Sequence, residues 1–141
     1  MKSSKGIIYN FLRSNSHMTL ATASKDGRPE AAMMRYILKD DYVLFYVTSK
    51  RYRKYQNLLA NPNAACVVTN DSKTLQIDAT PEPIGTDDEA IIRELFMEHY
   101  PDRARKFTED SRFFKLKPSW MKMQDYGNAG LSEYFYEPKH D

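Results

Sequence analysis

The densest chemistry in this chain is cationic. Lys50, Arg51, Arg53 and Lys54 place four positive charges within five residues, just after the strand-like run Tyr42-Val43-Leu44-Phe45-Tyr46-Val47. Tyr52, Tyr55, Leu58 and Leu59 then recur at spacings of three and four, which predicts a helix to about Ala60 with Ser49 as its N-cap. Cations oppose the positive end of a helix dipole at a cost of roughly a few tenths of a kcal/mol each, and they repel one another. A bound phosphate reverses that sign, because helix N–H groups and cations both favour an anion. The same residues also read as a solvated basic face with snorkelling side chains. Interleaved with Tyr52 and Tyr55, they resemble a nucleic-acid patch as well. A net charge of only +2 gives that last reading no general support, so no nucleic-acid partner is expected.

Other reactive side chains are sparse. Cys66 is the only cysteine, set in the apolar run Ala64-Ala65-Cys66-Val67-Val68, and reads as a buried, inert thiol. His17, His99 and His140 are scattered without metal-ligand spacing, and His99 is expected to be partly buried on a helix stripe. There is no G-x-G-x-x-G and no P-loop. No residue declares itself as a general acid or base, so no catalytic residue is assigned. Any difficult chemistry must come from a cofactor.

The elements that position these groups follow from pattern. Residues 3 to 14 form an amphipathic helix capped by Ser3 or Ser4, with Ile7, Ile8, Phe11 and Leu12 on one face. Strands follow at Met18–Ala23, Glu30–Leu38 and Tyr42–Val47. The first turn, around Asp26-Gly27, suits a type I′ hairpin, and the second is Lys39-Asp40-Asp41. After the basic helix, Asn61-Pro62-Asn63 stops the chain, and strands at Ala64–Thr69 and Thr74–Thr80 run up to Pro81 and Pro83, which mark an edge, a bulge or an end. Thr86 and Glu89 have capping-box spacing for a helix carrying Ile91, Ile92, Leu95, Phe96 and His99, closed by Pro101. A polar surface segment spans 102 to 110. Arg112–Lys117 and Ser119–Tyr126 read as two strands broken by Pro118, followed by the loop Gly127-Asn128-Ala129-Gly130 and a short strand at Ser132–Tyr136.

At 141 residues this is a single domain, 1–141, able to bury a core without staples. Many short strands, tight turns and few helices predict a mainly β fold, an antiparallel β-barrel with flanking α-helices. No signal segment or membrane-length apolar run is present, so a cytoplasmic protein without a membrane partner is expected.

Taken in order, these pieces resemble the pyridoxamine 5′-phosphate oxidase-like family of FMN-binding split β-barrels, and in particular its short, general-stress-protein-like branch. The residues that carry the resemblance are Leu20-Ala21-Thr22, Asp26-Gly27-Arg28-Pro29, Met34 to Lys39, Leu44-Phe45-Tyr46 with Thr48, Arg53-Lys54, Asn61-Pro62 and Phe114-Lys115-Leu116-Lys117-Pro118. The resemblance implies a split antiparallel β-barrel that binds FMN. It places Met34, Arg35, Tyr36 and Lys39 along the cofactor. It puts Thr48 and Ser49, followed by Arg53 and Lys54, at the phosphate, Val47 among the cofactor contacts, and Gln76 at the ring edge. It further implies a homodimer with the cofactor at the subunit interface, completed by the last strands of the partner, around Trp120 to Tyr126.

The family's true oxidases end in an Arg-x-His segment, which this chain lacks, so pyridoxamine phosphate oxidation is not expected. Some relatives bind deazaflavin F420 or haem instead; FMN is the leading expectation. The implied function is an FMN-dependent oxidoreductase acting on a small molecule. The alternative is a flavin-binding sensor or storage protein, stress-related, without turnover.

Overall fold

A computed structural model describes residues 3–39, 41–127 and 130–139. His140, Asp40 of the second turn, and Asn128-Ala129 of the last loop lie outside them. The strands are β1 (His17–Ala23), β2 (Pro29–Arg35), β3 (Ile37–Leu38), β4 (Leu44–Ser49), β5 (Ala64–Asn70), β6 (Lys73–Pro83), β7 (Ser111–Asp125) and β8 (Ser132–Tyr136). The helices are α1 (Ser4–Arg13), α2 (Arg53–Ala60), α3 (Thr86–His99) and α4 (Pro101–Ala104).

All strand pairings are antiparallel. The strand path runs β2-β1-β5-β6-β7-β4-β3, with β8 added beside β7. Its two ends, β2 and β3, are one stretch of chain separated only by Tyr36, and this stretch curls the sheet into a split barrel. The sequence predicted a single strand there. The Tyr36 N–H instead donates to the Ser16 carbonyl at 3.0 Å, and its hydroxyl donates to the Leu12 carbonyl at 2.6 Å. That anchoring lets the chain leave β1 and join β4.

Alternation fills the interior. Leu44 and Tyr46 of β4, Leu75 and Ile77 of β6, and Phe114 and Leu116 of β7 meet inside. The buried face of α1, Ile8, Phe11 and Leu12, joins the same core, as its periodicity required. The opposite face of β4 is covered too: Val47 packs with Phe113 of β7, with Ile92 and Phe96 of α3, and with Ala104 of α4. Helices α3 and α4 are therefore held against the strand that leads into the basic segment.

Several local expectations are corrected. A two-residue type I′ turn needs positive φ at both central residues. Here the loop runs from Ser24 to Arg28, and of Asp26 and Gly27 only Gly27 has a positive φ, 87°. Tyr42 is not in a strand: it sits in the left-handed region at φ 70°, and β4 starts at Leu44. Thr86 is the first residue of α3 rather than its cap, which is Gly85, and Glu89 pairs instead with Arg93 at 2.9 Å. Pro118 does not break β7. The register shifts there, with Asp78 opposite Trp120 and Ala79 opposite Pro118, so Ser119 is the extra residue of a bulge. β6 runs past Pro81 and ends at Pro83. His99 is exposed, not partly buried, because α3 turns only Ile92 and Phe96 fully inward. Cys66 is buried, and burial pushes its thiol up to about 12, in keeping with an inert core residue.

Candidate functional site

The basic segment folds differently from its sequence reading. Helix α2 begins at Arg53 with Tyr52 as its N-cap, and no side chain caps it. Ser49 is the last residue of β4, and its hydroxyl accepts from the Arg51 N–H at 3.2 Å. The turn this makes divides the cations. Lys50 and Arg51 precede the helix, and Lys50 pairs with Asp110 at 3.4 Å. Arg53 and Lys54 occupy the first turn of α2. Arg53 is largely exposed and reaches Glu30 of β2 at 3.6 Å. The Lys54 ammonium lies 4.6 Å from the centre of the Tyr52 ring. Burial lowers the Lys54 pKa below the usual lysine value; Glu30 raises it, and Arg103 of α4 lowers it further.

Two clefts open along β4. The first, about 260 Å³, is lined by His17, Met33, Met34, Arg35, Val47, Phe96 and Arg103. The second, about 560 Å³, is lined by Thr48, Ser49, Arg51, Tyr52, Arg103, Lys106, Thr108, Asp110 and Ser111. Met34, Arg35 and Val47 thus meet in one cleft, and Thr48 and Ser49 in the next. Alternation along a single strand puts Val47 on one side and Thr48 on the other. Arg35 is exposed, and its guanidinium lies over the Tyr100 ring at 5.1 Å. The Tyr100 hydroxyl donates to the Tyr36 carbonyl at 2.6 Å, which fixes that ring.

Thr48 is the residue that shows what the second cleft suits. It is only 2% exposed, and its hydroxyl is buried without a hydrogen-bond partner. An unmet buried hydroxyl costs about 1–3 kcal/mol. Beside Arg51, Arg103 and Lys106 it stands ready to donate to an anion. Replacing Thr48 by Val, similar in shape but without the hydroxyl, is expected to raise the stability of the ligand-free protein by about 1 kcal/mol in urea denaturation. The same change is expected to weaken binding of a phosphate-bearing ligand about tenfold in a titration. A ligand-free protein destabilised by the change would show that the hydroxyl has a partner.

The remaining sequence-predicted residues lie elsewhere. Tyr36 is buried and lines a separate cleft of about 660 Å³ with Tyr9, Arg13, His99 and Tyr100. Lys39 is half-buried at the turn into β4, where its N–H bonds the Val43 carbonyl at 2.9 Å. Gln76 and Trp120 stand on the outward side of β6 and β7, and neither lines either cleft on β4. Sequence reading missed Arg103 and Lys106. Their signal was present in the polar stretch after Pro101, as two cations three residues apart on a turn that a proline can start. Among the described residues, no three His, Cys, Asp or Glu side chains are grouped to hold a metal.

The family model for pyridoxamine 5′-phosphate oxidase matches residues 8–125. No curated protein sequence matches the chain. Among solved structures, the chain is similar to a pyridoxamine 5′-phosphate oxidase-related, FMN-binding protein of Nostoc punctiforme PCC 73102, with TM-score 0.78 and 15% identity over 99% of this chain and 92% of that one. It is also similar to HutZ, the haem storage protein of Vibrio cholerae, with TM-score 0.72 and 20% identity over 94% of this chain and 96% of that one. A haem-binding protein of Mycobacterium smegmatis gives TM-score 0.79 at 17% identity; 94% of this chain covers 58% of that one.

Proposed function

The chain belongs to the pyridoxamine 5′-phosphate oxidase family, and from that premise we propose that it is an FMN-binding protein whose phosphate site is the β4–α2 junction. The observation that carries this reading is the buried, unpartnered Thr48 hydroxyl on a cleft lined by cations. Thr48 and Ser49 supply hydroxyl groups, while Arg53 and Lys54 supply charge at the first turn of α2. Met34, Arg35 and Val47 line the adjoining cleft and would hold the flavin ring there. A bound flavin supplies hydride or single-electron transfer, for example between a nicotinamide and a small acceptor. The chain's own part is to bind and orient it. Lys39 completes the stretch expected along the cofactor.

The proposed unit is a homodimer with the cofactor at its interface. A cross-strand row runs outward from Met33 through Thr19, Val67, Gln76 and Lys122 to Phe135. Met33 is 72% exposed and Phe135 53%, and Met33 also lines the smaller cleft. The face that carries Gln76 and Trp120 is therefore continuous with the candidate site, as a dimer completing that site requires.

A second reading, ligand binding without turnover, is favoured by the haem storage and haem-binding roles of two structural neighbours. Titration decides among these. Micromolar FMN is expected to lose its fluorescence on binding, at one FMN per chain and at dimer mass in sedimentation. Absence of quenching, with a shifted haem absorption band instead, would sink the flavin reading. Bound FMN that reduced nicotinamides leave oxidised would favour the reading without turnover.

A further inference from the structure

We propose that Arg103, carried by α4, is a third cationic ligand of the anion held at the β4–α2 junction, so that the site is closed from two elements rather than one. The proposal rests on the FMN reading above and adds to it a binding residue that selects the phosphate monoester. Arg103 is common to the linings of both clefts, so its side chain stands between the Val47 side and the Thr48 side of β4. It is half-buried, with its guanidinium 5.4 Å from the centre of the Phe107 ring. The nearby carboxylates are committed elsewhere. Asp102 pairs with Arg105 at 2.8 Å, Asp110 with Lys50 at 3.4 Å, and Glu30 with Arg53 at 3.6 Å. Among the described residues no carboxylate pairs with Arg103, Arg51 or Lys106.

Two independent observations converge here. The positive charge of Arg103 on α4 bears on Lys54 of α2, so the two elements repel when nothing lies between them. In the same cleft, Thr48 holds its buried hydroxyl without a partner. A phosphate dianion answers both: it accepts from the hydroxyl and neutralises facing cations. A guanidinium gives it two parallel N–H donors, which a carboxylate ligand uses equally but a neutral ribityl chain does not. The position of α4 is set by packing rather than by charge. Ala104 is buried against the Val47–Phe96 cluster, and the Tyr100 hydroxyl ties the α3–α4 corner to the Tyr36 carbonyl. Arg103 is thus presented to the site on a fixed support.

The test compares FMN and riboflavin titrations of the wild-type protein, Arg103→Gln, Arg103→Lys and the double variant Arg53→Ala, Lys54→Ala. Arg103→Gln is expected to weaken FMN about ten- to a hundredfold, the effect of one charge-assisted contact, and riboflavin less than about twofold. Arg103→Lys keeps the charge without the fork and is expected to fall between; it also covers the case in which the glutamine variant fails to fold. An unchanged FMN-to-riboflavin preference in Arg103→Gln and Arg103→Lys, with the preference collapsed in the double variant, overturns the role of Arg103 and leaves the phosphate site standing. Equal losses of FMN and riboflavin in Arg103→Gln also overturn it, as a packing effect. A wild-type protein with no preference for FMN over riboflavin overturns the underlying reading instead.

Discussion

Changing Arg53 and Lys54 together to Ala is expected to weaken FMN binding about a hundredfold while leaving riboflavin within about twofold. The two ligands share their ring and ribityl chain and differ only in the phosphate, so the ratio isolates the charge term. A hydrogen bond to a charged group is worth about 1.5–3 kcal/mol. The low end applies, because Arg53 has an 80% exposed side chain and must leave its 3.6 Å pair with Glu30. Two contacts at about 1.5 kcal/mol each give about 3 kcal/mol, or roughly two powers of ten in affinity. Solvent screening predicts that the loss shrinks as salt rises.

Raising pH should reproduce part of the loss in the wild-type protein. Lys54 already titrates below the usual lysine value, chiefly through burial, and only its protonated form attracts the phosphate. FMN preference is therefore fully present below that lowered pKa and declines as pH climbs through it. A bound dianion holds the proton longer and moves the decline upward. Equal losses of FMN and riboflavin in the double variant would remove the phosphate role from this junction.

The barrel was legible because it is written in local rules. Periodicity found α1, β1, β5 and β8 close to their bounds, since the first three each have one buried face and β8 alternates half-buried Tyr134 and Tyr136 with exposed residues. What failed was tertiary in origin. Nothing local marks Tyr36 as a corner, because its hydroxyl partner, the Leu12 carbonyl, lies 24 residues away. Pro118 looked like a strand break, yet pairing to β6 on both sides of the bulge carries β7 through it. At the site, the cation run was visible in sequence and the family resemblance already set Arg53 and Lys54 apart from Lys50 and Arg51, but the turn before Tyr52 that separates them was not. Ser49 has the chemistry of an N-cap and uses it to close a turn instead. Arg103 was hidden for a different reason. Its relevance depends on α4 being packed against Val47, a contact between segments more than fifty residues apart in sequence that no spacing rule reaches.

That dependence of the site on the core makes Phe114 the position where one substitution should damage both. Phe114 is 1% exposed on β7, between β4 and β6. Its ring stacks on Tyr46 at 5.6 Å and meets the edge of Tyr55, on α2, at 5.9 Å. Phe114→Ala removes the surface on which Tyr55 rests, two residues after Arg53. Deleting a buried Phe costs about 3–5 kcal/mol, and a domain of this kind holds only about 5–15 in all. Urea denaturation should therefore show most of the stability gone. Because α2 loses its seat, FMN and riboflavin affinities should fall together, unlike the charge variant, in which only FMN suffers. Phe114→Leu, which keeps most of the volume, should lose about 1.5 kcal/mol or less and retain the FMN preference. Saturating FMN should recover part of the lost stability, about 2.7 kcal/mol at a hundred times its dissociation constant. A Phe114→Ala protein that kept its midpoint would mean that the Tyr46–Phe114–Tyr55 cluster does not hold α2 to the barrel. The geometry of the phosphate site would then have to come from the β4–α2 turn alone.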